Sequence, residues 1–449
     1  MIVRARLLLA LLLAGSAVAE PGPASGLQGD LVLRDMINQA MASRPELAQA
    51  RAQLAAEQER VPQGRALPDP TLSLGMQNES LEGIQLGRDQ MSWVSIVAAQ
   101  TFPWLGKRGL RAQVASLDAA AAEADLRRLL LSVAAEVESA YLALLAERDR
   151  LRLLGKLETL WTQSEGLARV RYEAGQGTQA DLLRAQLERS RLSQRRWALQ
   201  ALEQQRIIAL NRLCGRPLDE PVVTTHGLQD LPDPELPDAR QAVAAAEGRS
   251  PELHKAMLQG QQADHRVDLA RKERWPDITV SAGVMPRGGG FSTMWQAGLA
   301  FCVPVWSVGK QAHAIRESQA RGHAARNGAE AIRRLLHQRV NERVAALQSL
   351  LQTSRLYRSG LLIQSEATVT STLAQYQVGV LGFASVLEAL AGFVADQNGY
   401  LDSLAFAQQI AIEERAVSLD PPLAPIGVTA NLPSLPPVSE GLLAGPRGM

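Results

Sequence analysis

From Lys107 to about Glu173 the apolar residues recur at helical steps: Leu126, Leu130, Val133, Val137, Ala140, Leu144, Leu151 and Leu154 keep a coiled-coil spacing. No proline and few glycines break this stretch, and Ala112, Ala115, Ala119 and Ala122 would let neighbouring helices approach closely. The pattern predicts one continuous helix of roughly 65 residues, on the order of 100 Å long. A second helix of the same size is expected over residues 310–378. Helices of this length do not fit inside an ordinary globular domain. Shorter return helices are expected over 178–213 and 383–416, and helix pairs over 31–42 and 45–65 and from Asp238 to about Glu273.

The period changes between these helices. Leu72, Leu74 and Met76 alternate with Thr71, Ser73 and Gln77; Val94, Ile96 and Ala98 alternate with Ser95 and Thr101. Ile278, Val280, Ala282 and Val284 alternate with Thr279, Ser281 and Gly283, and Trp295, Ala297, Leu299, Phe301 and Val303 form a fourth apolar row. Two hairpins, 70–102 and 277–303, follow from this alternation. Their strands of roughly 8 to 11 residues have the length a tilted strand needs to cross a bilayer. Polar loops, Asn78 to Gln90 and Pro286 to Ser292, join the strands. Trp93, Trp104, Trp295 and Trp306 fall near the strand ends, where an interfacial girdle would sit. Each strand alone would equally suit the half-buried sheet of a soluble sandwich, so the long helices carry more weight.

The whole plan occurs twice, about 200 residues apart, a period too long for a solenoid. Ser43-Arg44-Pro45-Glu46-Leu47 returns as Arg249-Ser250-Pro251-Glu252-Leu253, and Leu67-Pro68-Asp69-Pro70-Thr71 as Trp275-Pro276-Asp277-Ile278-Thr279. Gln100-Thr101-Phe102-Pro103-Trp104-Leu105-Gly106-Lys107 returns loosely as Phe301 to Lys310, and Tyr172-Glu173-Ala174-Gly175 as Tyr376-Gln377-Val378-Gly379. The expected organisation is a first repeat over 20–213 with its long helix at 107–173, a linker over 214–237, and a second repeat over 238–416. The linker is rich in Pro and Asp, with a short strand candidate at 221–225; residues 417–449 form a Pro-rich tail.

Residues 1–19 read as a secretory signal peptide: Arg4 and Arg6, an apolar run from Leu7 to Ala14, and a small-residue site at Ala17-Val18-Ala19. Nothing after residue 20 reads as an apolar membrane-spanning helix. The formal net charge of +1 argues against nucleic acid as a partner. The two cysteines, Cys214 and Cys302, sit in elements expected to lie far apart and read as two small buried side chains. Six scattered histidines give no metal-binding spacing, and no Ser/His/Asp set, carboxylate pair or phosphate loop recurs, so neither a cofactor nor an enzyme is indicated.

Taken together, these features resemble the TolC-like outer-membrane factors, the exit ducts of Gram-negative efflux and type I secretion systems. The turns Arg171–Gly175 through Asp181–Ala185 and Gln375–Gly379 through Ser385–Ala389 carry the likeness most specifically. The segment Gln100 to Arg108 is similar to the subgroup serving heavy-metal cation pumps. The resemblance implies a mostly α protein with a transmembrane β part. Three chains of four strands would close a twelve-stranded barrel, continued by a periplasmic helical barrel. It implies a homotrimer in the Gram-negative outer membrane, in contact with lipid, a periplasmic adaptor and an inner-membrane pump of the resistance-nodulation-division type. Heavy-metal cations are the expected cargo; drugs, secreted proteins, or an extracytoplasmic coiled-coil scaffold are the alternatives. By position, Tyr376 and Asp181 match a gate latch, whereas Leu381 and Ala180 stand where a second latch would be. Ser385 and Glu388 fall at the pore constriction, and Arg171, Tyr172, Gly175, Gly379 and Val380 at the tips that would contact the adaptor.

Overall fold

A computed structural model describes residues 27–421. The signal-peptide reading at 1–19, and the tail beyond residue 421, lie outside the described residues. Two short helices, α1 (Leu31–Ser43) and α2 (Pro45–Arg65), precede strands β1 (Thr71–Gln77) and β2 (Trp93–Phe102). Helix α3 (Lys107–Glu173) then runs unbroken for 67 residues and returns as α4 (Gln179–Cys214). The order repeats with α5 (Ala239–Arg249), α6 (Pro251–Lys272), β3 (Ile278–Met285), β4 (Met294–Phe301), α7 (Ala312–Leu356), α8 (Leu362–Gln377) and α9 (Phe383–Arg415). Asp30 and Asp238, at corresponding helix starts, each accept a backbone N–H and satisfy donors that the helix cannot; Ser250 does the same, whereas its counterpart Arg44 gives no side-chain cap.

The second long helix is not a copy of the first. A π turn at Ser307–Gln311 opens it and another at Tyr357–Leu361 divides α7 from α8. The inner π turn lies where Tyr357 packs against Tyr400 of α9, ring centroids 6.2 Å apart, and Gly399 leaves room for the Tyr357 hydroxyl. An inserted residue of this kind shifts the apolar stripe without breaking it, which is why periodicity did not reveal it.

Helix α3 is the spine of the molecule. It packs on α2, α4 and α6, and α9 packs on α3, α7 and α8. Its buried residues Val133, Val137, Tyr141, Leu144 and Leu145 join Leu33, Met36, Leu401 and Leu404 in the main core. This explains a departure from expectation: α3 holds an 18-residue window of mean hydropathy 1.7, apolar enough to cross a membrane, yet 44% of that window is buried within the chain. The linker lies on the same spine. Residues 221–225 form no strand; Val222 is buried, and Arg148 of α3 donates to the Val222 carbonyl and to Thr224 Oγ1. Side-chain donors thus do the work a neighbouring strand would have done.

The four strands form one antiparallel sheet in the order β1-β2-β3-β4. The two hairpins match residue for residue: Leu72 opposite Ala98 becomes Val280 opposite Leu299, and Met76 opposite Val94 becomes Val284 opposite Trp295. Leu72, Leu74, Met76, Ile96, Val280, Ala282, Leu299 and Trp295 share one face, while Thr71, Ser73, Thr279 and Ser281 share the other. The outer edges of β1 and β4 have no strand partner among the described residues.

Where β2 gives way to α3, the two repeats are riveted together. Lys107 is 2% exposed; its Nζ donates to Asp277 Oδ1 at 2.9 Å and to the Trp275 carbonyl at 2.9 Å, with Glu273 at 3.6 Å. Asp277 Oδ1 also accepts the Trp104 N–H at 2.8 Å, and the Trp104 and Trp275 rings stack 5.2 Å apart. Cys302 continues the ladder past β4, its N–H donating to the Asp277 carbonyl, and is exposed; only Cys214 is buried, so the expectation of two buried thiols fails at Cys302.

Candidate functional site

Both long helices end in the same device. At the first tip the Gln176 N–H reaches back to the Arg171 carbonyl at 2.8 Å and the Gly175 N–H to Tyr172 at 3.0 Å; at the second, Val380 reaches Gln375 at 3.0 Å and Gly379 reaches Tyr376 at 3.1 Å. This is the Schellman closure, and it needs a positive φ at the pivot, supplied by Gly175 at 70° and Gly379 at 80°. Thr178 then caps α4 by accepting the Asp181 N–H.

The two tips meet inside one chain. The Arg171 guanidinium lies 4.7 Å from the Tyr376 ring centroid, donates to the Tyr376 carbonyl, and donates to the Gln176 carbonyl at 3.1 Å. The Tyr376 ring packs on Phe383, centroids 5.5 Å apart, and both residues are buried. The Tyr376 hydroxyl has no hydrogen-bond partner in this conformation. Burial, and secondarily the nearby Asp181 carboxylate, push its pKa up, so Asp181 acts on it through space rather than through a bond.

Of the residues singled out in the sequence, the structure therefore brings Arg171, Tyr376 and Gly379 together, with Asp181 close by. Tyr172 and Val380 are exposed at the tips. Ser385 is half-buried on α9, and Glu388, one turn on, is exposed and makes no ion pair among the described residues. The inward grip of Arg171 had no signal in the sequence, where a basic residue near a helix C-terminus reads as a favourable surface charge. The Lys107–Asp277 rivet was readable in principle, since both residues sit in echoed motifs. Among the described residues no group of three or more His, Cys, Asp or Glu gathers to hold a metal.

Comparison with known proteins gives a consistent answer. A family model described as outer membrane efflux protein matches residues 36–216 and 242–415, two segments that flank the linker. The nickel and cobalt resistance protein CnrC of Cupriavidus metallidurans is 26% identical over 327 residues, covering 72% of this chain and 69% of CnrC. Protein CyaE of Bordetella pertussis is 30% identical over 276 residues, 59% of this chain and 56% of CyaE. A crystal structure of CusC, reported with the conformational changes accompanying folding and transmembrane channel formation, superposes with a TM-score of 0.74 at 17% identity. The match covers 89% of this chain and 95% of CusC, and at that identity it speaks for the fold.

Proposed function

The chain belongs to the outer membrane efflux protein family, and we propose that within it this protein is the passive exit duct of a tripartite pump for heavy-metal cations. As a member it is an outer-membrane efflux channel and not an enzyme. The cargo reading rests on the likeness to CnrC over most of both chains. It does not require the duct to bind metal, since a passive conduit needs only a wide, polar wall. A closed trimer, an adaptor seated on the tips around Gly175 and Gly379, and a resistance-nodulation-division pump complete the proposed assembly. The apolar sheet face carrying Val280 is assigned to lipid and the Ser281 face to a wet lumen, the alternation that membrane barrels use.

At the periplasmic mouth, Tyr376 and Asp181 are proposed as the gate latch of the closed trimer, with the grip of Arg171 on Tyr376 carrying most of the closing contact, and Ser385 and Glu388 are proposed to line the constriction. Three symmetry-related Glu388 carboxylates would favour cations there. Deleting the gene should raise sensitivity to nickel, cobalt or similar cations and leave drug tolerance unchanged. Drug sensitivity alone would overturn the metal assignment. Single-channel recording of Glu388→Gln should show a weaker cation preference; an unchanged reversal potential would remove Glu388 from the constriction. Replacing Gly175 or Gly379 by a bulky residue should abolish efflux with the trimer intact, whereas loss of the trimer would make these turns structural only.

A further inference from the structure

The rivet between the repeats is present a second time in the sequence but not closed. Lys107 and Asp277 have their echoes in Lys310 and Asp69. Both echoes are exposed, and neither makes an ion pair among the described residues. They belong to opposite borders of the one sheet: Asp69 leads into β1, and Lys310 follows β4. Val305 and Trp306 beside Lys310 are exposed, as is Leu67 beside Asp69, although their counterparts Trp104 and Trp275 stack on each other. Each border therefore carries half of a joint that already exists, complete, at the β2–β3 seam.

We propose that Lys310 and Asp69 of the next copy form between neighbouring chains the joint that Lys107 and Asp277 form within one, fixing the β4–β1 seam in a register that sets Cys302 opposite Thr71. This deepens the duct reading and rests on it, because only a closing ring brings β4 of one copy against β1 of another. Unpaired strand edges are not tolerated in lipid, so a partner of this kind is required. The register follows from the duplication. Because the hairpins correspond residue for residue, the observed pairs across β2–β3 translate directly to the outer seam. Thr101 opposite Thr279 becomes Cys302 opposite Thr71, and Ala98 opposite Ala282 becomes Leu299 opposite Leu74. The Thr101 and Thr279 hydroxyls are 2.9 Å apart, so side chains at this position meet.

Two departures mark where the seams differ. The stretch Pro304–Lys310 is two residues longer than Pro103–Lys107, and a π turn at Ser307–Gln311 begins inside it. Arg65 stands where Glu273 stands in the inner joint, so the outer joint has one carboxylate for its lysine instead of two.

Cys302 makes the register directly testable in the full-length protein assembled in outer membranes. Thr71→Cys, treated with copper–phenanthroline and run without reductant, should convert subunits to covalent trimers. The same treatment of Thr71→Cys with Cys302→Ser should give none. Pro70→Cys and Leu72→Cys should fail to cross-link, because a one-residue slip turns the side chain to the other face. Cross-linking through residue 70 or 72 in place of 71, or none at 71 while the heat-resistant trimer persists, would overturn the register. Lys310→Asp and Asp69→Lys should each lower the temperature at which the trimer dissociates, and the two together should restore it; no recovery would overturn the ion pair. Absence of a heat-resistant trimer in the unsubstituted protein would instead sink the duct reading itself.

Discussion

At the scale of single residues, the tip is held by a cation rather than by a hydroxyl. Arg171 reaches across to the second tip through a charge-assisted bond to the Tyr376 carbonyl and a stack on its ring, while the Tyr376 hydroxyl goes unpaired. A charge-assisted bond contributes roughly twice what a neutral one does. Arg171→Ala should therefore raise the resting conductance of the channel more than Tyr376→Phe, which keeps both the ring and the carbonyl. The reverse order in single-channel recordings would return the main closing role to the hydroxyl and Asp181. The sequence displayed the pivots plainly, since glycine after a long helix at Gly175 and Gly379 has few other uses. It did not display which way Arg171 points. That direction depends on a ring brought near from far along the chain, and no local pattern encodes it.

At the scale of elements, legibility followed period. Alternation in β1 and β3 identified strands and faces because a two-residue repeat leaves no doubt about which side each residue takes. The test of those faces is one charge placed on either side. Val280→Arg should destabilise the barrel by about 2–4 kcal/mol if the residue lies near the bilayer midplane. Ser281→Arg, one residue along and on the opposite face, should be tolerated; equal effects on heat resistance would refute the facing. Short or irregular features were less readable. The π turns at Ser307–Gln311 and Tyr357–Leu361 leave the helical stripe nearly unchanged, and the extended run at 221–225 looks like a strand until its partner turns out to be the Arg148 side chain on α3. The apolar stripe of α3 likewise reads as helix whether lipid or α9 covers it, and only tertiary packing settles which.

At the scale of the whole molecule, two repeats that cannot each close a sheet are made one body at the Lys107–Asp277 joint. The pair is asymmetric: the Lys107 side chain is 2% exposed and that of Asp277 is 29% exposed. Removing the acid leaves a cation, in a place water does not reach, with only the Trp275 carbonyl and the more distant Glu273 carboxylate, whereas removing the lysine leaves a carboxylate that water can still solvate. Asp277→Asn should therefore cost roughly 1–3 kcal/mol of stability and lower the thermal midpoint of the protein more than Lys107→Met does. Equal losses would mean that the joint acts through packing alone. Its pH dependence follows from the same contacts. Burial would by itself raise the Asp277 pKa, but the Lys107 ammonium and the Trp104 N–H outweigh it and hold the carboxyl below the usual carboxylate value. A carboxyl depressed in the folded state adds stability above its unfolded pKa and surrenders it as pH falls through the folded value. Heat resistance contributed by this joint should thus be flat through neutral pH and fall only in acid below the ordinary carboxylate range. In Asp277→Asn that acid-side loss should shrink, and an unchanged acid profile would show that other carboxylates govern it.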